Sequence, residues 1–370
     1  MFIYATVDVV DIRRKVAGIY IHIPFCKQRC TYCAFVSGAP LFCRRKYVEV
    51  LKKEIESRLD KWVSVDTVYV GGGTPSMLER GMLKEIFDSL SKACDMRAKE
   101  ITVECNPDSV DKEFCDEIIS AGVNRVSIGL QTANDKLLKC VNRPHDLSSF
   151  LRAWESLSPI KNKSVDIMMG LPGQTIEELA STVDFVTGLN PQHISAYSLT
   201  VEDGTVLKES GFVVDEDGEA DMYDVMSDIL NKKGYRRYEV SNFCLPGYES
   251  KHNSSYWDLS DYYGFGVSAH SLVKGVRIAN TDDFDKYVGG DFVASKEKCD
   301  FAEEYIMLSL RTAAGLSISR LFDFGFDILN ERKEQIERLV LSDLIYIDGD
   351  RIKLSDKAFY VMNDIITDLM

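Results

Sequence analysis

The stretch Ile19–Ser37, which reads I-Y-I-H-I-P-F-C-K-Q-R-C-T-Y-C-A-F-V-S, decides how this chain of 370 residues is organised. An apolar strand runs directly into three cysteines with the spacing C-x3-C-x2-C, namely Cys26, Cys30 and Cys33. Intervals this short place three sulfurs in one loop, and thiolates are preferred ligands of soft metals and iron–sulfur clusters. The spacing predicts a cubane cluster held by three cysteines, which leaves one iron open to a substrate.

Two other uses of these thiols stay open at this point. A structural zinc site needs a fourth ligand, and the nearest further cysteine is Cys43, ten residues after Cys33, with no histidine between them. Inert thiols are the second alternative, because a short cysteine motif also arises by chance. Disulfides are not expected, because pairing within the motif leaves one thiol over and the chain has the features of a cytosolic protein.

Composition limits the classes of partner. The net charge of −14 and the pI of about 5.0 argue against non-specific binding to nucleic acid or to an anionic membrane surface. No apolar run approaches 18 residues, so no transmembrane helix is predicted. Met1–Val10 includes Asp8 and lacks basic residues, so no signal peptide is predicted. We therefore predict a cytoplasmic protein, while peripheral membrane association and the choice between monomer and dimer stay open.

Strand and helix alternate through residues 1–200. Short apolar strands separated by amphipathic helices predict an α/β fold with a parallel sheet covered on both faces. The predicted strands are Gly18–Ile23, Thr67–Val70, Glu100–Glu104, Arg125–Ile128, Val165–Met168 and His193–Leu199. Six such units predict an incomplete (β/α)6 barrel of the TIM type, with functional side chains at the carboxyl ends of its strands.

Polar and glycine-rich motifs follow these strands. Residues 71–75, G-G-G-T-P, follow the second strand without the G-K-[ST] of a phosphate loop, so they form either a ligand-approach loop or a tight turn. Glu104 ends the third strand. Its carboxylate either accepts hydrogen bonds from a ligand or lies in the N-cap region of the following helix. Gln131 and Arg143 follow the fourth strand, and Asp166 lies in the fifth. A salt bridge at the barrel rim is the alternative role for Arg143 and Asp166.

Taken in order, these motifs resemble those of radical S-adenosylmethionine (SAM) enzymes. The match is to the subfamily of oxygen-independent coproporphyrinogen dehydrogenases and HemW-type haem chaperones, and it covers nearly the whole chain. The resemblance implies that the three cysteines bind a 4Fe–4S cluster and that SAM chelates its fourth iron. It also implies a SAM site made of Tyr20, Gly72, Gly73, Thr74, Glu104, Gln131, Arg143 and Asp166. Such side chains suit SAM, which offers hydroxyls, an ammonium and a carboxylate.

A second motif lies in residues 201–295, which we expect to extend the barrel. Lys251–Trp257 reads K-H-N-S-S-Y-W, one histidine followed by an aromatic pair. Imidazole binds haem iron and aromatic rings pack on a porphyrin, although the residues alone favour a structural histidine. The pattern H-N-x-x-Y-W resembles the haem-binding signature of HemW-type chaperones. It implies His252 as the axial ligand, with Tyr256 and Trp257 at the porphyrin, and Cys244 is the alternative ligand.

The next segment, Tyr262–His270, contains the pattern G-x-G-x-x-A. A dinucleotide site is not predicted, because the preceding Trp257–Tyr263 is polar and is not expected to form the strand that such a site requires. The resemblance implies that these glycines pack close to the barrel core. His270 is predicted to be structural.

The last segment, residues 296–370, predicts helices followed by a two-stranded hairpin around Asp348-Gly349-Asp350, which is a winged-helix-like α+β module. Six Lys/Arg and nine Asp/Glu lie between residues 330 and 370. DNA binding is not predicted, because a phosphate-binding face needs clustered positive charge. We expect this module to act as a lid or to dock a partner.

Two functions from different classes follow from the resemblance. One is a haem chaperone that binds haem and delivers it to an acceptor protein, and that carries a 4Fe–4S cluster and a SAM site. The alternative is an oxygen-independent coproporphyrinogen III dehydrogenase that uses a SAM-derived radical. The dehydrogenase loop resembles C-x3-C-x2-C-x-C, whereas this chain has Phe35 at the fourth cysteine position, and the dehydrogenases carry a longer N-terminal arm. The predicted function is therefore that of the chaperone.

Overall fold

The structure is a computed structural model that describes residues 15–370. The prediction that Met1–Val10 is not a signal peptide lies outside the described residues. Six strands form the centre of the fold and pair in parallel, in chain order. They are β1 (Lys15–Ile23), β2 (Val63–Gly72), β3 (Asp95–Cys105), β4 (Arg125–Gln131), β5 (Asn162–Met169) and β6 (His193–Ser198). Parallel pairing brings all six carboxyl ends to one edge, so the predicted partial barrel is confirmed.

Helices cover this sheet between the strands. They are α1 (Arg44–Arg58), α2 (Met82–Ala93), α3 (Lys112–Ser120), α4 (Asp135–Cys140), α5 (Leu147–Ser156) and α6 (Ile176–Gly188). Helix α6 begins with a capping box, in which Thr175 accepts the backbone N–H of Glu178 and Glu178 accepts that of Thr175. The alternation of strand and helix predicts a helix over Met77–Leu90, but α2 begins only at Met82, because Pro75–Met77 forms a separate 3-10 turn. The strands extend beyond their apolar runs, because ladder hydrogen bonds continue into polar residues.

Further elements extend the sheet on both edges. They are α7 (Val206–Glu209), α8 (Glu216–Lys232), β7 (Arg236–Arg237), β8 (Asn242–Cys244), α9 (Lys251–Trp257), β9 (Tyr262–Phe265), β10 (His270–Val273), β11 (Val276–Asn280), α10 (Phe284–Val288) and β12 (Val293–Lys298). Strand β8 pairs antiparallel with β6, and β9 pairs parallel with β1. The sheet therefore has twelve strands in the described part of the chain.

Two expectations for this extension were wrong. The polar, glycine-dotted sequence of Val201–Glu219 predicts a loop or hairpin, but this stretch contains α7 and the start of α8. The stretch Trp257–Tyr263 was expected to lack a strand, but β9 begins at Tyr262 because it pairs with the buried strand β1. The dinucleotide site stays excluded on other grounds, since β9 is followed by the antiparallel strand β10 and not by a helix.

The glycines after β9 do pack against the core. A Cβ at Gly264 would lie 2.0 Å from the carbonyl oxygen of His270, and one at Gly266 would lie 2.6 Å from that of His22. Helix α1 is held to the same segment by Glu54, which is fully buried. Its carboxylate pairs with Arg58 at 2.5 Å and accepts from the Tyr287 hydroxyl at 2.6 Å.

The C-terminal module follows as a smaller unit. Its elements are α11 (Phe301–Ser309), β13 (Leu316–Ser317), α12 (Ile318–Asp323), α13 (Ile328–Glu331), α14 (Lys333–Leu341), β14 (Ile345–Asp348), β15 (Arg351–Leu354) and α15 (Met362–Leu369). Strands β14 and β15 form the predicted hairpin, and β13 adds a third strand. The core of the module also includes Leu259, Tyr262 and Leu272 from the preceding extension. The domain divisions at residues 200 and 295 stay predictions. None of the helices within residues 15–370 is long and apolar enough to cross a bilayer.

Candidate functional site

The three cysteines lie in the loop after β1, and each sulfur has a polar neighbour. Sγ of Cys26 lies 3.3 Å from Oγ1 of Thr74, and Sγ of Cys33 lies 3.6 Å from Oγ of Ser37. Sγ of Cys30 accepts from Nη1 of Arg143 at 3.6 Å. All ten cysteines of the chain are free thiols, so the loop is held by hydrogen bonds and packing and not by disulfides.

A cavity of about 480 Å³ opens between this loop and the carboxyl ends of the strands. That volume is in the usual range for a small-molecule site. Its lining includes the three cysteines and six of the residues implied for SAM, namely Gly72, Gly73, Glu104, Gln131, Arg143 and Asp166. Thr74 lies beside the cavity at Cys26, whereas Tyr20 lines a neighbouring cavity. The structure therefore gathers residues that are far apart in the sequence into one place.

The glycine triplet is required by close contacts within the protein. A Cβ at Gly71 would lie 2.6 Å from the carboxylate of Glu104, and one at Gly72 would lie 2.5 Å from the ring of His22. Gly72 also has a φ of +103°, which favours glycine, and its N–H donates to Glu104 at 3.1 Å. The triplet is therefore a tightly packed turn whose backbone also forms a wall of the cavity.

Two carboxylates face this cavity from β3 and β5. Glu104 accepts from the Tyr69 hydroxyl at 2.7 Å, and Asp166 accepts from the Ser127 hydroxyl at 2.8 Å. Burial raises the pKa of Glu104 to about 7 and also raises the pKa of Asp166. A cationic ligand would favour the ionised form of both groups, because an opposite charge nearby stabilises a carboxylate.

Arg143 joins the cysteine loop to two strand ends. Its Nη2 donates to the carbonyl oxygen of Gly129 at 2.8 Å and to Oδ1 of Asn106 at 3.1 Å, while Nη1 reaches Cys30. Nε is buried and has no hydrogen-bond partner within the described residues. Gln131 lies next to this group with a φ of +69°, an uncommon backbone conformation that ends β4. The guanidinium therefore puts positive charge against the thiol loop.

The H-N-x-x-Y-W segment does not form a single site. His252 is fully buried, with Nδ1 at 2.9 Å from Oγ1 of Thr67 and Nε2 at 2.7 Å from the hydroxyl of Tyr256. Trp257 lines a different cavity, of about 380 Å³, against the C-terminal module. Cys244 is also buried, and its burial raises the pKa of its thiol to about 12. In the described conformation neither residue offers an open ligand atom, and their predicted role as haem ligands stays a prediction.

Comparison with known proteins gives the context of this geometry. Residues 20–186 match the model of the radical SAM superfamily, and residues 297–361 match that of the HemN C-terminal domain. Heme chaperone HemW of Lactococcus lactis is 35% identical, with 95% of this chain and 97% of that relative covered. Heme chaperone HemW of Bacillus subtilis is also 35% identical, with 94% and 97% covered. This chain belongs to the HemW family.

A solved structure shares the fold of this HemW-family chain. It is the coproporphyrinogen III oxidase HemN from Escherichia coli, described as a radical SAM enzyme. The TM-score is 0.84 at 21% sequence identity, and the match covers 97% of this chain and 90% of that one. The predicted fold class, a radical SAM partial barrel with a C-terminal module, is confirmed.

Membership in the radical SAM superfamily implies a 4Fe–4S cluster and SAM, and the residues present fit both. Among residues 15–370, no three His, Cys, Asp or Glu side chains converge as ligands of a single metal ion. A cubane cluster does not need such convergence, because each cysteine binds a different iron. When bound, the cluster supplies one-electron chemistry to SAM. The glycine wall and the two carboxylates could supply hydrogen-bond acceptors for the polar groups of SAM, and Arg143 could supply a donor.

Sequence reasoning missed several residues of this HemW-family site. Asn106 accepts from Arg143 and donates to Oγ1 of Thr74 at 2.8 Å, so it connects the ends of β2, β3 and β4 to the cysteine loop. Tyr197, Ser198, Thr200 and Glu202 form the wall after β6. Functional side chains lie at the carboxyl ends of strands in such barrels, and this strand-end rule applies to β6 as it does to the other strands. The position of Tyr197 and Ser198 at the end of β6 could therefore have identified them from the sequence.

Proposed function

We propose that this chain is a haem chaperone, which binds haem and delivers it to an acceptor protein. Its similarity to chains named Heme chaperone HemW over nearly its whole length supports this most directly. The acceptor is unidentified. The proposal also includes a cytoplasmic location and no nucleic-acid partner. The protein is either a monomer or a dimer, and peripheral association with a membrane stays open. Net charge of −14 supports the exclusion of nucleic acid.

We further propose that Cys26, Cys30 and Cys33 hold the 4Fe–4S cluster. Their common loop and their position at the cavity support this assignment. The proximity of Arg143 to Cys30 fits thiolates, since a positive charge stabilises the ionised form. Thr74 and Ser37 would hydrogen bond to the remaining sulfurs and orient the loop.

The SAM site is proposed across the same cavity. Glu104 and Asp166 would accept hydrogen bonds from the ammonium and ribose hydroxyls, and Arg143 would donate to the carboxylate. Gly72, Gly73, Thr74 and Gln131 would shape the walls. Tyr20 stacks on Tyr69, with ring centroids 6.3 Å apart, so its proposed contribution is indirect, through the partner of Glu104.

For haem, the family signature still proposes His252, with Tyr256 and Trp257 nearby. The structure adds a condition to that proposal. His252 would have to break its hydrogen bonds to Thr67 and Tyr256 and leave its buried position before either nitrogen could reach an iron. Each of these is a hydrogen bond inside the protein, so the exchange would cost free energy that the iron bond must offset.

The alternative function is that of a coproporphyrinogen III dehydrogenase. The fold shared with HemN and the intact cavity favour it. Phe35 opposes it, because a phenyl ring cannot ligate at the position where the dehydrogenase loop has a fourth cysteine. This ring is 68% exposed and lies on the wall between two cavities.

One experiment separates the two functions. Anaerobically reconstituted protein is given coproporphyrinogen III with SAM and a reductant, and a parallel sample is loaded with haem and mixed with an apo-haem protein. If the chaperone proposal is correct, coproporphyrinogen III is not converted and haem is transferred to the acceptor. The absorbance of the acceptor measures this transfer. Robust formation of protoporphyrinogen without haem transfer would establish the dehydrogenase instead.

A further inference from the structure

A second cavity, of about 880 Å³, lies beside the proposed SAM cavity and is distinct from it. It lies on the other side of the cysteine loop, and Ala34 and Phe35 line both cavities. Strands β1, β9, β10 and β11, helices α9 and α11 and the loops next to them supply the remaining walls. The volume is near the upper end of the range for small-molecule sites, so the cavity can accept a ligand considerably larger than an amino acid.

The walls of this cavity are mostly apolar. Phe35, Val36, Leu259, Leu272 and Leu308 contribute aliphatic and aromatic surface. Arg277 and Glu304 form an ion pair at one edge, and this pair brings no net charge. Apolar walls of this kind suit a ligand with large hydrophobic faces. The exposed ring of Phe35 offers a flat surface on which such a ligand could stack.

The histidines of the chain give this cavity a specific chemistry. The sequence has five, and four of them are buried: His22, His145, His193 and His252. The buried rings donate to or accept from protein groups, as His22 does with the carbonyl oxygen of Val36 at 2.7 Å. His270 is the exposed one, and its side chain lines the cavity. Within residues 15–370 the ring of His270 has no hydrogen bond or ion pair to the protein.

We propose that haem binds in this second cavity and that the imidazole of His270 is a ligand of its iron. A neutral ring nitrogen would donate its lone pair to the iron and displace a weakly held water, with no transfer of electrons. The apolar walls would cover the macrocycle, with Phe35 against one part of it. This inference rests on the proposed haem chaperone function and names its site. It differs from the signature-based proposal, because His252 is buried whereas His270 is accessible without rearrangement.

The test is a titration of the full-length protein with ferric haem, followed by the Soret absorbance. His270→Ala is expected to lower the affinity for haem by at least about tenfold and to shift the Soret maximum. Added imidazole should restore the wild-type spectrum, because the small side chain leaves room for the free ligand. His252→Ala is titrated beside it as the matched variant, and imidazole is not expected to change its spectrum. Leu308→Trp should block binding by filling the cavity while leaving His270 in place.

The outcomes separate this inference from the function on which it rests. If the wild-type protein binds no haem, the chaperone proposal fails as well. If the wild-type protein binds haem and His270→Ala keeps its affinity and spectrum, the chaperone proposal stands and the assignment to His270 is overturned. Imidazole rescue of His252→Ala, with no rescue of His270→Ala, would assign the iron ligand to His252. Circular dichroism of each variant excludes loss of the fold as the cause.

Discussion

The carboxylate of Glu100 on β3 accepts the backbone N–H of His252 at 3.0 Å. It also accepts the N–H of Lys251 at 3.0 Å and the hydroxyl of Ser250 at 3.3 Å, and Glu100 is buried. A carboxylate at this position satisfies the free N–H groups of the first turn of α9 and interacts favourably with the helix dipole. The H-N-x-x-Y-W helix is therefore anchored to the barrel and is not a loose flap.

Glu100→Gln should loosen this anchor. The amide keeps the size of the side chain but removes its charge, so the three hydrogen bonds lose their charge assistance. We expect the free energy of unfolding to fall by about 1–3 kcal/mol, measured by urea denaturation. Amide hydrogen exchange should accelerate in Lys251–Trp257 before it does in the barrel strands. Glu56→Gln is the matched control, because Glu56 is exposed; equal exchange rates in both variants would contradict the anchoring role.

We expect Glu54 to contribute more to the stability of the fold than to ligand binding at any site. Its fully buried carboxylate pairs with Arg58 and also accepts from Asn280 at 2.7 Å and from the Gly266 N–H at 2.9 Å. Glu54→Gln leaves the charge of Arg58 without its partner, and such losses cost about 3–5 kcal/mol. Thermal and urea unfolding against the same Glu56→Gln control should show this loss. A variant as stable as the control would contradict the prediction.

The partial barrel could be predicted because its signals are local. Each of β1 to β6 has a short apolar run, and the parallel arrangement follows from the helices between them. The extension could not be predicted as well, because β9 spans Tyr262–Phe265 and includes a glycine. Its strand conformation comes from pairing with β1, which the local sequence does not show. Tertiary context overrides weak local preference in such short strands.

The candidate site, like the fold, could be predicted in part from the sequence. The strand-end rule placed Glu104 and Asp166 at one edge, and the structure brings both to the cavity beside the cysteines. The exposure of the two histidines could not be predicted, because it depends on contacts made after folding. His252 contacts Thr67 of β2, which is distant in the sequence, as well as Tyr256 of its own helix, whereas His270 begins β10 at the margin of a cavity. The resemblance to the haem-binding signature implied His252 as the ligand, although the residues alone favoured a structural role for it.

The three-cysteine cluster gives a direct prediction. Cys30→Ala should abolish or strip the cluster after anaerobic reconstitution, because thiolate ligation is what holds it. Iron and sulfide content per chain and the loss of brown colour measure the effect. Cys140→Ala is the control, since Cys140 is exposed and does not line the cavity. Wild-type iron and sulfide in Cys30→Ala would remove this residue from the cluster.

The SAM site predicts a dependence on both charge and pH. Glu104→Gln and Asp166→Asn should each weaken SAM binding by roughly tenfold to a hundredfold, because each removes one charge-assisted hydrogen bond of about 1.5–3 kcal/mol. Isothermal calorimetry on the reconstituted protein measures this loss. Glu56→Gln again serves as the control. Wild-type affinity in both cavity variants would place the site elsewhere.

The pH dependence of SAM binding tests Glu104 in particular. Burial raises the pKa of Glu104 to about 7 in the ligand-free protein, so below that pH most molecules carry the neutral form. SAM is cationic at its sulfonium and ammonium and should bind the ionised form more tightly. Affinity should therefore rise between pH 5.5 and 7, by at most about tenfold per pH unit for one proton. In Glu104→Gln the rise should be smaller, and what remains would come from Asp166, whose pKa burial also raises. The same slope in wild type and Glu104→Gln would show that another group titrates.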